Sequence, residues 1–356
     1  MSVKPTFSKV EIHGSGLIGT SIALALAQFD IQVRMVDSDK RSEALAQELV
    51  GSVSGESFTP ELVISAVPIS AFSSVVSALE EHDFKGAFID VASVKTKVKV
   101  EVSTSKLPSE RFLPTHPMAG REVGGAESAR SDLFQGRAWI IDSTGVDHEV
   151  LQLGRELITA LGANLVDIPV AEHDQAVALI SHLPQIIASL LAKQLSGNPE
   201  SWLTLAGSGL RDTTRIAGSD PKLWREIIAA NSESIKPLLR NFSQDLTEFI
   251  DVIGDEKGVE KLISEGQRGR TAIPGKHGGK VREYAYLPIV IEDKPGQLAA
   301  IFNECARANV NIEDLSIEHS PGQETGLITL AISPTDSEKL SDHLSQAGWS
   351  VHAPRV

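Results

Sequence analysis

Residues 12–21, IHGSGLIGTS, decide the fold of the N-terminal part of this chain. The glycines Gly14, Gly16 and Gly19 have GxGxxG spacing and stand between a β-rich run and an apolar helical run. In that setting the first glycine permits a tight turn, the second lets a pyrophosphate approach the backbone, and the third lets helix and strand pack closely. The helix N-terminus then faces the anion. The stretch predicts a dinucleotide-binding turn; the alternative is a glycine turn needed only for packing.

An acidic residue in the right place supports this prediction. The next β-rich run, QVRMVD, ends at Asp37, about 20 residues after the turn, where a carboxylate accepts the adenosine ribose hydroxyls. Asp37 would repel a 2′-phosphate, so NAD is favoured, while the nearby Lys40 and Arg41 leave NADP open. The candidate cofactor-binding residues are Gly14, Gly16, Leu17, Ile18, Gly19 and Asp37.

The pattern of β-rich and helical runs divides the chain into domains. As far as residue 169 the two alternate, which predicts parallel βαβ units and a Rossmann-type α/β domain over 1–169. Residues 170–263 show only helical periodicity, which predicts an all-helical domain; by analogy with other such domains, we expect it to supply a dimer surface and part of the substrate site. In it, Ser219 or Asp220 is the expected cap of a helix that has Pro221 in its first turn.

The C-terminal part changes character twice. Residues 264–284 are rich in glycine and basic side chains without periodicity, so we predict a linker; the alternative is that these basic residues fold back to an anionic site. Residues 285–356 follow the order βαββαβ, which predicts a small ferredoxin-like α+β domain.

Composition limits the classes of function. The chain has 356 residues and a net charge of −14, which argues against nucleic acid and anionic membranes as partners. The lone Cys305 cannot form an internal disulfide, and the polar N-terminus lacks a signal-peptide core, so we expect a cytoplasmic protein. The apolar stretch from Ala176 carries polar side chains and is predicted to be a core helix rather than a membrane span. We predict no bound metal.

Three polar residues follow predicted strand ends. Ser93 and Lys95 come after GAFIDV, and His116, in THPMAG, comes after RFLP. Ligands of open α/β sheets bind beyond the carboxyl ends of the strands, and Pro117 holds the His116 backbone extended. We predict that Ser93 and His116 share the rim that receives the nicotinamide. The alternatives are a helix cap for Ser93 and a structural hydrogen bond for His116.

The helical domain contributes further polar groups. In EHDQAVALISHLPQ, His173 and Ser181 lie about two turns apart on one helix face, and Pro184 should kink that helix at Ile180. This pattern favours a site, with a satisfied polar pocket as the alternative. Further on, Arg215 could hold a carboxylate with two parallel hydrogen bonds, or form an ion pair with a nearby aspartate.

Together these motifs resemble one family. The pieces GSGLIGTS, DVASVK, HPMAG, EHDQAVALISHLP and RDTTRIAGSDPKLW occur in that order, as in the prephenate/arogenate dehydrogenases of tyrosine biosynthesis. The last segment, with EDKPGQL and NVNIEDLSIEH, is similar to an ACT domain. The resemblance implies a small-molecule substrate, a cyclohexadiene with a ring carboxylate and a 4-hydroxyl, that loses hydride to NAD⁺ and then CO₂. It also implies a homodimer.

The resemblance also implies roles for individual residues. His116 would take the proton of the 4-hydroxyl, Ser93 would orient that hydroxyl and the imidazole, and Arg215 would clamp a substrate carboxylate. The other implied substrate-site residues are Trp224 as a wall, Glu122 as a gating acid, and Ser181, His182, His173 and Gln185. In the ACT segment Asp293, Gly296 and Asn311 match the effector-binding turn, with tyrosine as the expected effector; the alternative is a degenerate domain kept for dimer contacts.

One residue departs from the family pattern. Many prephenate-using members have SHLPH, whereas this chain has SHLPQ, with Gln185 in place of a second histidine. A neutral amide removes a cation that would favour the more negative side chain of prephenate and repel the ammonium of arogenate. Gln185 therefore tilts the prediction slightly towards arogenate.

Two competing functions stay open from the sequence. One is another NAD-dependent dehydrogenase, of the β-hydroxyacid type, which would use a lysine such as Lys193 on the helical domain. The other is a non-catalytic sensor of nucleotides and amino acids, which would have no need for Ser93, His116 and Arg215 together.

Overall fold

The structure is a computed structural model that describes residues 4–51, 58–121, 123–273, 284–319 and 324–354. The chain divides into two compact units, Met1–Thr247 and Glu248–Val356. The dinucleotide turn and every polar group predicted to do chemistry belong to the first unit, apart from Glu122, which lies outside the described residues.

The first unit is built on a seven-stranded sheet in the order β2-β1-β3-β4-β5-β6-β7. Its strands are β1 (Lys9–His13), β2 (Gln32–Val36), β3 (Leu62–Ser65), β4 (Ala87–Asp90), β5 (Phe112–Pro117), β6 (Ala138–Ile141) and β7 (Asn164–Asp167). Neighbouring strands are parallel except β5 and β6, which are antiparallel. A parallel pair is usually joined by a crossover helix, and the described part of the β5–β6 connection offers only a 3₁₀ turn at Ala126–Ser128.

Helices cover both faces of this sheet. They are α1 (Leu17–Leu26), α2 (Lys40–Val50), α3 (Phe72–Glu81), α4 (Lys95–Ser103) and α5 (His148–Ala160). Ile12 belongs to the larger buried cluster together with Ile22 of α1, while Val63 packs in a second cluster with Val75 and Val98. Burial on both faces explains why the central strands β3 and β4 are buried throughout and almost continuously apolar, and it confirms the predicted Rossmann-type domain.

The helical domain follows directly. Its helices are α6 (Val170–Val177), α7 (Leu183–Lys193), α8 (Glu200–Leu203), α9 (Ser208–Thr214), α10 (Pro221–Ala230), α11 (Ser232–Val252) and α12 (Glu256–Thr271). Asp220, rather than Ser219, caps α10, because its carboxylate accepts from the Lys222 backbone N–H at 2.8 Å. Helix α11 crosses the boundary between the two units.

Helices α6 and α7 are joined by one turn of π-helix, Ala178–His182. Pro184 has no N–H to donate to the Ile180 carbonyl, so the regular ladder is interrupted where the sequence predicts a kink. The run Val170–Lys193 is long and apolar enough to cross a membrane, with mean hydropathy 1.5. Its His173, Asp174 and His182 are buried in the protein, whereas Leu179 and Ile180 are exposed and only 28% of the apolar window is buried.

The predicted linker is partly helical. Helix α12 continues to Thr271, so residues 264–271 are not irregular as expected, and 274–283 lie outside the described residues. Asp255 caps this helix on the Gly258 N–H, and Arg268 and Arg270 stand in its last turn, where cations are favoured. The Asp255 cap and the cations in the last turn offset the low helix propensity of the glycines, which led us to predict a linker.

The C-terminal elements form the predicted βαββαβ domain. They are β8 (Ala285–Glu292), α13 (Gln297–Arg307), β9 (Asp314–His319), β10 (Thr325–Ile332), α14 (Ser337–Gln346) and β11 (Ser350–Val351). The four strands are antiparallel in the order β11-β8-β10-β9. A core of Leu287, Ile289, Ile301, Leu330 and Leu340 lies between the sheet and its two helices.

Candidate functional site

The glycine turn between β1 and α1 has the predicted geometry. Gly14 has φ +106°, and a side chain there would overlap the Ala66 carbonyl oxygen. A Cβ on Gly19 would overlap the Gly14 carbonyl oxygen, so helix and turn are in contact. A Cβ on Gly16 would meet nothing within 4 Å. Two of the glycines are therefore required by the fold, and the third faces open space.

A carboxylate lies directly beside this turn. Asp37, after β2, accepts from the backbone N–H of Ser15 at 2.6 Å and of Asp39 at 2.9 Å. Lys40, the nearest candidate for a 2′-phosphate, is paired with Glu43 at 2.9 Å. At this edge the Asp37 carboxylate can accept hydrogen bonds from hydroxyl groups, whereas the charge of Lys40 is compensated by Glu43.

The residues around the turn fit a dinucleotide. Gly16 caps α1 without any side-chain hydrogen bond, so the N–H groups of Leu17 and Ile18 at the first turn have no side-chain acceptor. Among the described residues, the buried hydroxyls of Ser15 and Thr20 have no hydrogen-bond partner. Open space at Gly16, helix N–H groups and unpartnered hydroxyls are what a pyrophosphate requires.

A chain of three polar side chains lies at another strand end. His116 is the second-last residue of β5 and is half-buried. Its Nδ1 is 2.9 Å from Nε2 of His173, and the two rings meet edge to face with centroids 5.1 Å apart. Nδ1 of His173 is 2.8 Å from Oδ1 of Asp174. We call these three residues the histidine chain; only its outer member, His116, is accessible, since His173 is 0% and Asp174 3% exposed.

The first turn of α4 holds the inner end of the histidine chain. Oδ1 and Oδ2 of Asp174 accept from the backbone N–H groups of Lys95 and Thr96, each at 2.8 Å. Burial opposes ionisation of this carboxyl, but the hydrogen bonds from His173 and from α4 outweigh it and lower its pKa to about 2. Asp174 is therefore an acceptor-only carboxylate at neutral pH.

The side chain of Lys95 ties the same turn to β5. Its Nζ forms a buried ion pair with Asp90, at the end of β4, and donates to the backbone oxygen of Thr115 at 2.5 Å. Thr115 directly precedes His116. Lys95 therefore holds β4, β5 and α4 together, and its ammonium is engaged away from the rim that the sequence analysis assigned to it.

The electrostatic surroundings keep His116 neutral. Burial lowers the pKa of the His116 imidazole well below its usual value, and the nearby His173, Lys95 and His182 lower it further. A neutral imidazole has one ring nitrogen with a free lone pair, which can accept a proton or a hydrogen bond.

His182 and Trp224 lie together on the helical side. Asn231 donates from Nδ2 to the Asp174 backbone oxygen at 2.7 Å and lies 3.1 Å from Nδ1 of His182. The His182 and Trp224 rings meet edge to face at 6.0 Å, and burial lowers the pKa of His182 to about 4. Trp224 packs against the cluster that contains Val94, the neighbour of the half-buried Ser93.

Other predicted substrate-site residues lie on the adjoining helices. Gln185 on α7 is 5% exposed, with Nε2 3.4 Å from the Ser189 hydroxyl, and Ser181 is half-buried in the π turn. Arg215 is exposed at the start of a 3₁₀ turn, Arg215–Gly218, against which α7 packs. Lys193, which the β-hydroxyacid alternative would use, is exposed at the last residue of α7.

Two residues of this region were missed in the sequence analysis. Asp174 follows a predicted site histidine directly, and that adjacency was the available signal. Asn231 stands between α10 and α11 with no motif around it, so no sequence signal pointed to it.

In the second unit, the predicted effector residues surround α13. Asp293 and Gly296 lie between β8 and α13, and Gly296 has φ +92° at the helix cap. Asn311 follows the helix and donates to Glu313 at 2.9 Å. The left-handed backbone at position 296 explains why a glycine stands there.

Family models match most of the chain. The prephenate dehydrogenase nucleotide-binding domain matches residues 22–167, the prephenate dehydrogenase dimerization domain 169–264, and the ACT domain 286–347. These matches confirm the predicted family resemblance, the nucleotide-binding domain and the ACT domain.

Individual proteins agree with the family models. The chain is 29% identical over 358 residues to the probable prephenate dehydrogenase NovF of Streptomyces niveus, covering 96% of this chain and 99% of that protein. A prephenate dehydrogenase from A. aeolicus, in complex with hydroxyphenyl propionate and NAD⁺, is 26% identical with a TM-score of 0.68, covering 76% of this chain and 99% of that one. The arogenate dehydrogenase of Synechocystis is 28% identical with a TM-score of 0.63, covering 74% and 98%.

Proposed function

Because this chain belongs to the prephenate dehydrogenase family, we propose that it catalyses the NAD-dependent oxidative decarboxylation of prephenate or arogenate in tyrosine biosynthesis. One observation carries the proposal: a neutral, half-buried His116 lies at the same carboxyl edge of the parallel strands as the glycine turn. That edge is where a dinucleotide and its substrate meet in this fold.

In this proposal His116 accepts one proton from the substrate and later returns it. NAD, when bound, supplies the hydride acceptor. As hydride leaves the carbinol carbon, the imidazole of His116 takes the 4-hydroxyl proton. Loss of CO₂ from the ring leaves an aromatic phenolate, and His116 returns the proton to that oxygen. Ser93 orients the hydroxyl, Arg215 grips a substrate carboxylate, and Trp224 walls the pocket.

The cofactor preference follows from the charges beside the turn. The Asp37 carboxylate suits ribose hydroxyls and repels a 2′-phosphate, and Lys40 is already paired with Glu43. The A. aeolicus relative was solved with NAD⁺. These observations support NAD over NADP.

For the substrate, we propose a modest preference for arogenate. The side chain at position 185 is a buried neutral amide, which neither attracts the extra negative charge of prephenate nor repels the ammonium of arogenate. The relatives include both a prephenate and an arogenate dehydrogenase. A kcat/KM at least tenfold higher for prephenate would contradict this preference.

We further propose a cytoplasmic homodimer regulated by an amino acid, with tyrosine as effector. Large apolar side chains of the helical domain are exposed in the single chain; they include Leu190, Trp202, Leu205, Phe242, Leu246 and Ile250. Burying such a surface against a second copy is favourable. The ACT match and the turn at Gly296 support effector binding in the C-terminal domain.

A direct assay tests the proposed function. The purified full chain is incubated with NAD⁺ and either prephenate or arogenate, and NADH formation is followed by absorbance. We expect turnover of at least one substrate together with release of CO₂. Failure to form NADH from either would refute the proposal and favour a sensor or another dehydrogenase.

A further inference from the structure

We infer that Asp174, acting through His173, positions His116 and decides which of its ring nitrogens carries the proton. The inference rests on the proposed role of His116 as proton acceptor. It makes Asp174 and His173 positioning residues and gives His173 a task other than lining the substrate pocket.

The first step concerns the bond between Asp174 and His173. The Asp174 carboxylate already accepts two backbone N–H groups from the first turn of α4, and it has no proton of its own to donate. Nδ1 of His173, at 2.8 Å from Oδ1, must therefore carry a hydrogen and donate it. This fixes one nitrogen of His173 as the donor.

The second step carries that polarity to His116. In a neutral His173 with its hydrogen on Nδ1, Nε2 has only a lone pair and accepts. Nδ1 of His116, at 2.9 Å, must then be the donor in this bond. A neutral His116 with its hydrogen on Nδ1 has its free lone pair on Nε2, the nitrogen that does not face His173. That nitrogen is the one available to a substrate hydroxyl.

The surroundings hold this arrangement at both ends. The backbone N–H of Lys95 binds Asp174, while its ammonium binds Asp90 and the Thr115 carbonyl next to His116. Asn231 holds the backbone oxygen of Asp174 from the helical side. One lysine thus fixes the separation between the inner and outer members of the histidine chain. An aspartate that orients a histidine base is a known device in hydrolases, where the contact is direct.

The substitution Asp174→Ala tests the polarity. Oδ1 of Asp174 accepts both from Nδ1 of His173 and from the Lys95 N–H, so the alanine variant removes the acceptor that keeps hydrogen on Nδ1 of His173. His173 can then carry its hydrogen on Nε2 and donate to Nδ1 of His116, which places the hydrogen of His116 on Nε2. We expect kcat to fall by about 10²- to 10⁴-fold, the usual worth of a positioned base, with little change in KM.

The matched control is Asp142→Ala. Asp142 is also buried, directly follows the neighbouring strand β6, and is bonded to Lys99 and to the backbone N–H of Val170, but it has no hydrogen bond to any of the histidines. Loss of a buried carboxylate there should lower stability without a selective loss of kcat. An equal loss of kcat in both variants would mean that Asp174 acts only through folding, and would overturn the inference.

Position 173 gives a second, independent comparison. In His173→Gln the side-chain oxygen can still accept from Nδ1 of His116, whereas His173→Met, of similar size, offers only the weak acceptor of a thioether sulfur. We expect the glutamine variant to keep a clearly larger share of wild-type kcat than the methionine variant. Equal activities in the two would contradict a role as hydrogen-bond acceptor.

The most direct readout needs no turnover. ¹⁵N NMR of the histidine side chains in the substrate-free full chain distinguishes protonated from unprotonated ring nitrogens, and the His116 signals are identified by their loss in His116→Asn. We expect hydrogen on Nδ1 in the wild type and at least in part on Nε2 in Asp174→Ala. Hydrogen on Nε2 in the wild type would overturn the inference. Absence of dehydrogenase activity would instead overturn the proposed function and leave this spectroscopic result standing.

Discussion

The glycine turn and the histidine chain are built in opposite ways. At the turn, the backbone provides space and N–H groups: Gly16 faces a void, and the first turn of α1 has no side-chain cap. In the histidine chain, side chains provide one lone pair, and buried hydrogen bonds hold it in place. A ligand-binding turn therefore depends on open space beside the backbone. A proton acceptor depends on neighbouring side chains that hold its ring in a fixed orientation.

The largest effect is expected from removing the lone pair of the His116 imidazole. In His116→Asn we expect kcat to fall by about 10²- to 10⁴-fold while KM changes little, because the proton acceptor acts in the transition state. Steady-state kinetics measure both constants. His148→Asn, at an exposed position on α5, is the matched control and should behave as wild type. Equal activity of the two variants would refute the assignment.

The turn is tested by two glycines that differ in surroundings. Gly16→Val adds a side chain where nothing lies within 4 Å, so we expect a normal melting temperature but at least about tenfold weaker NAD⁺ binding, or about 1.4 kcal/mol. Calorimetric titration measures this. Gly14→Val, at φ +106° and against Ala66, should instead lower the free energy of unfolding by about 1–3 kcal/mol or more. If Gly16→Val binds NAD⁺ normally, the void at Gly16 is not the pyrophosphate site.

The pH dependence separates the two regions as well. The His116 pKa is lowered well below 6.5, so its imidazole is neutral at pH 7 and becomes protonated only as the pH falls through that lowered value. Protonation removes the lone pair, so kcat/KM should be flat around pH 6.5 and decline only at lower pH. NAD⁺ binding should not follow this decline, since the turn acts through its backbone. A decline centred at or above pH 6.5 would contradict the half-buried, neutral base.

The smallest expected effect concerns specificity. Gln185→His restores a potential cation near the substrate side chain, and we expect kcat/KM to rise a few-fold for prephenate relative to arogenate. Ser189→Ala, which removes the weak partner of Gln185, should leave the ratio unchanged. An unchanged ratio in Gln185→His would remove position 185 from the account of substrate choice.

The same contrast explains what the sequence could predict. The turn is formed by local backbone geometry, so Gly14, Gly16, Gly19 and Asp37 could be proposed from spacing alone. The order of the elements predicted the Rossmann-type, helical and ferredoxin-like parts because each has its own period of apolar residues. Local patterns say nothing about strand direction after β5, where the chain returns antiparallel.

The histidine chain was predictable only in part. His116 follows a strand end and His173 lies in a polar interruption of an apolar helix, so both drew attention. Their contact joins residues far apart in sequence, as does the bond from Asn231 to the Asp174 backbone oxygen, and neither pairing leaves a local pattern. Lys95 illustrates the limit: it follows a strand end as Ser93 does, yet its ammonium is buried against Asp90.

The most direct test of the account is a crystal structure of the full chain with NAD⁺ and a phenolic product analogue. We expect the analogue's hydroxyl within about 2.6–3.2 Å of Nε2 of His116, with the nicotinamide ring on the same side. A His116 ring that points away from the dinucleotide, or lies beyond the reach of one bridging water from that hydroxyl, would contradict it.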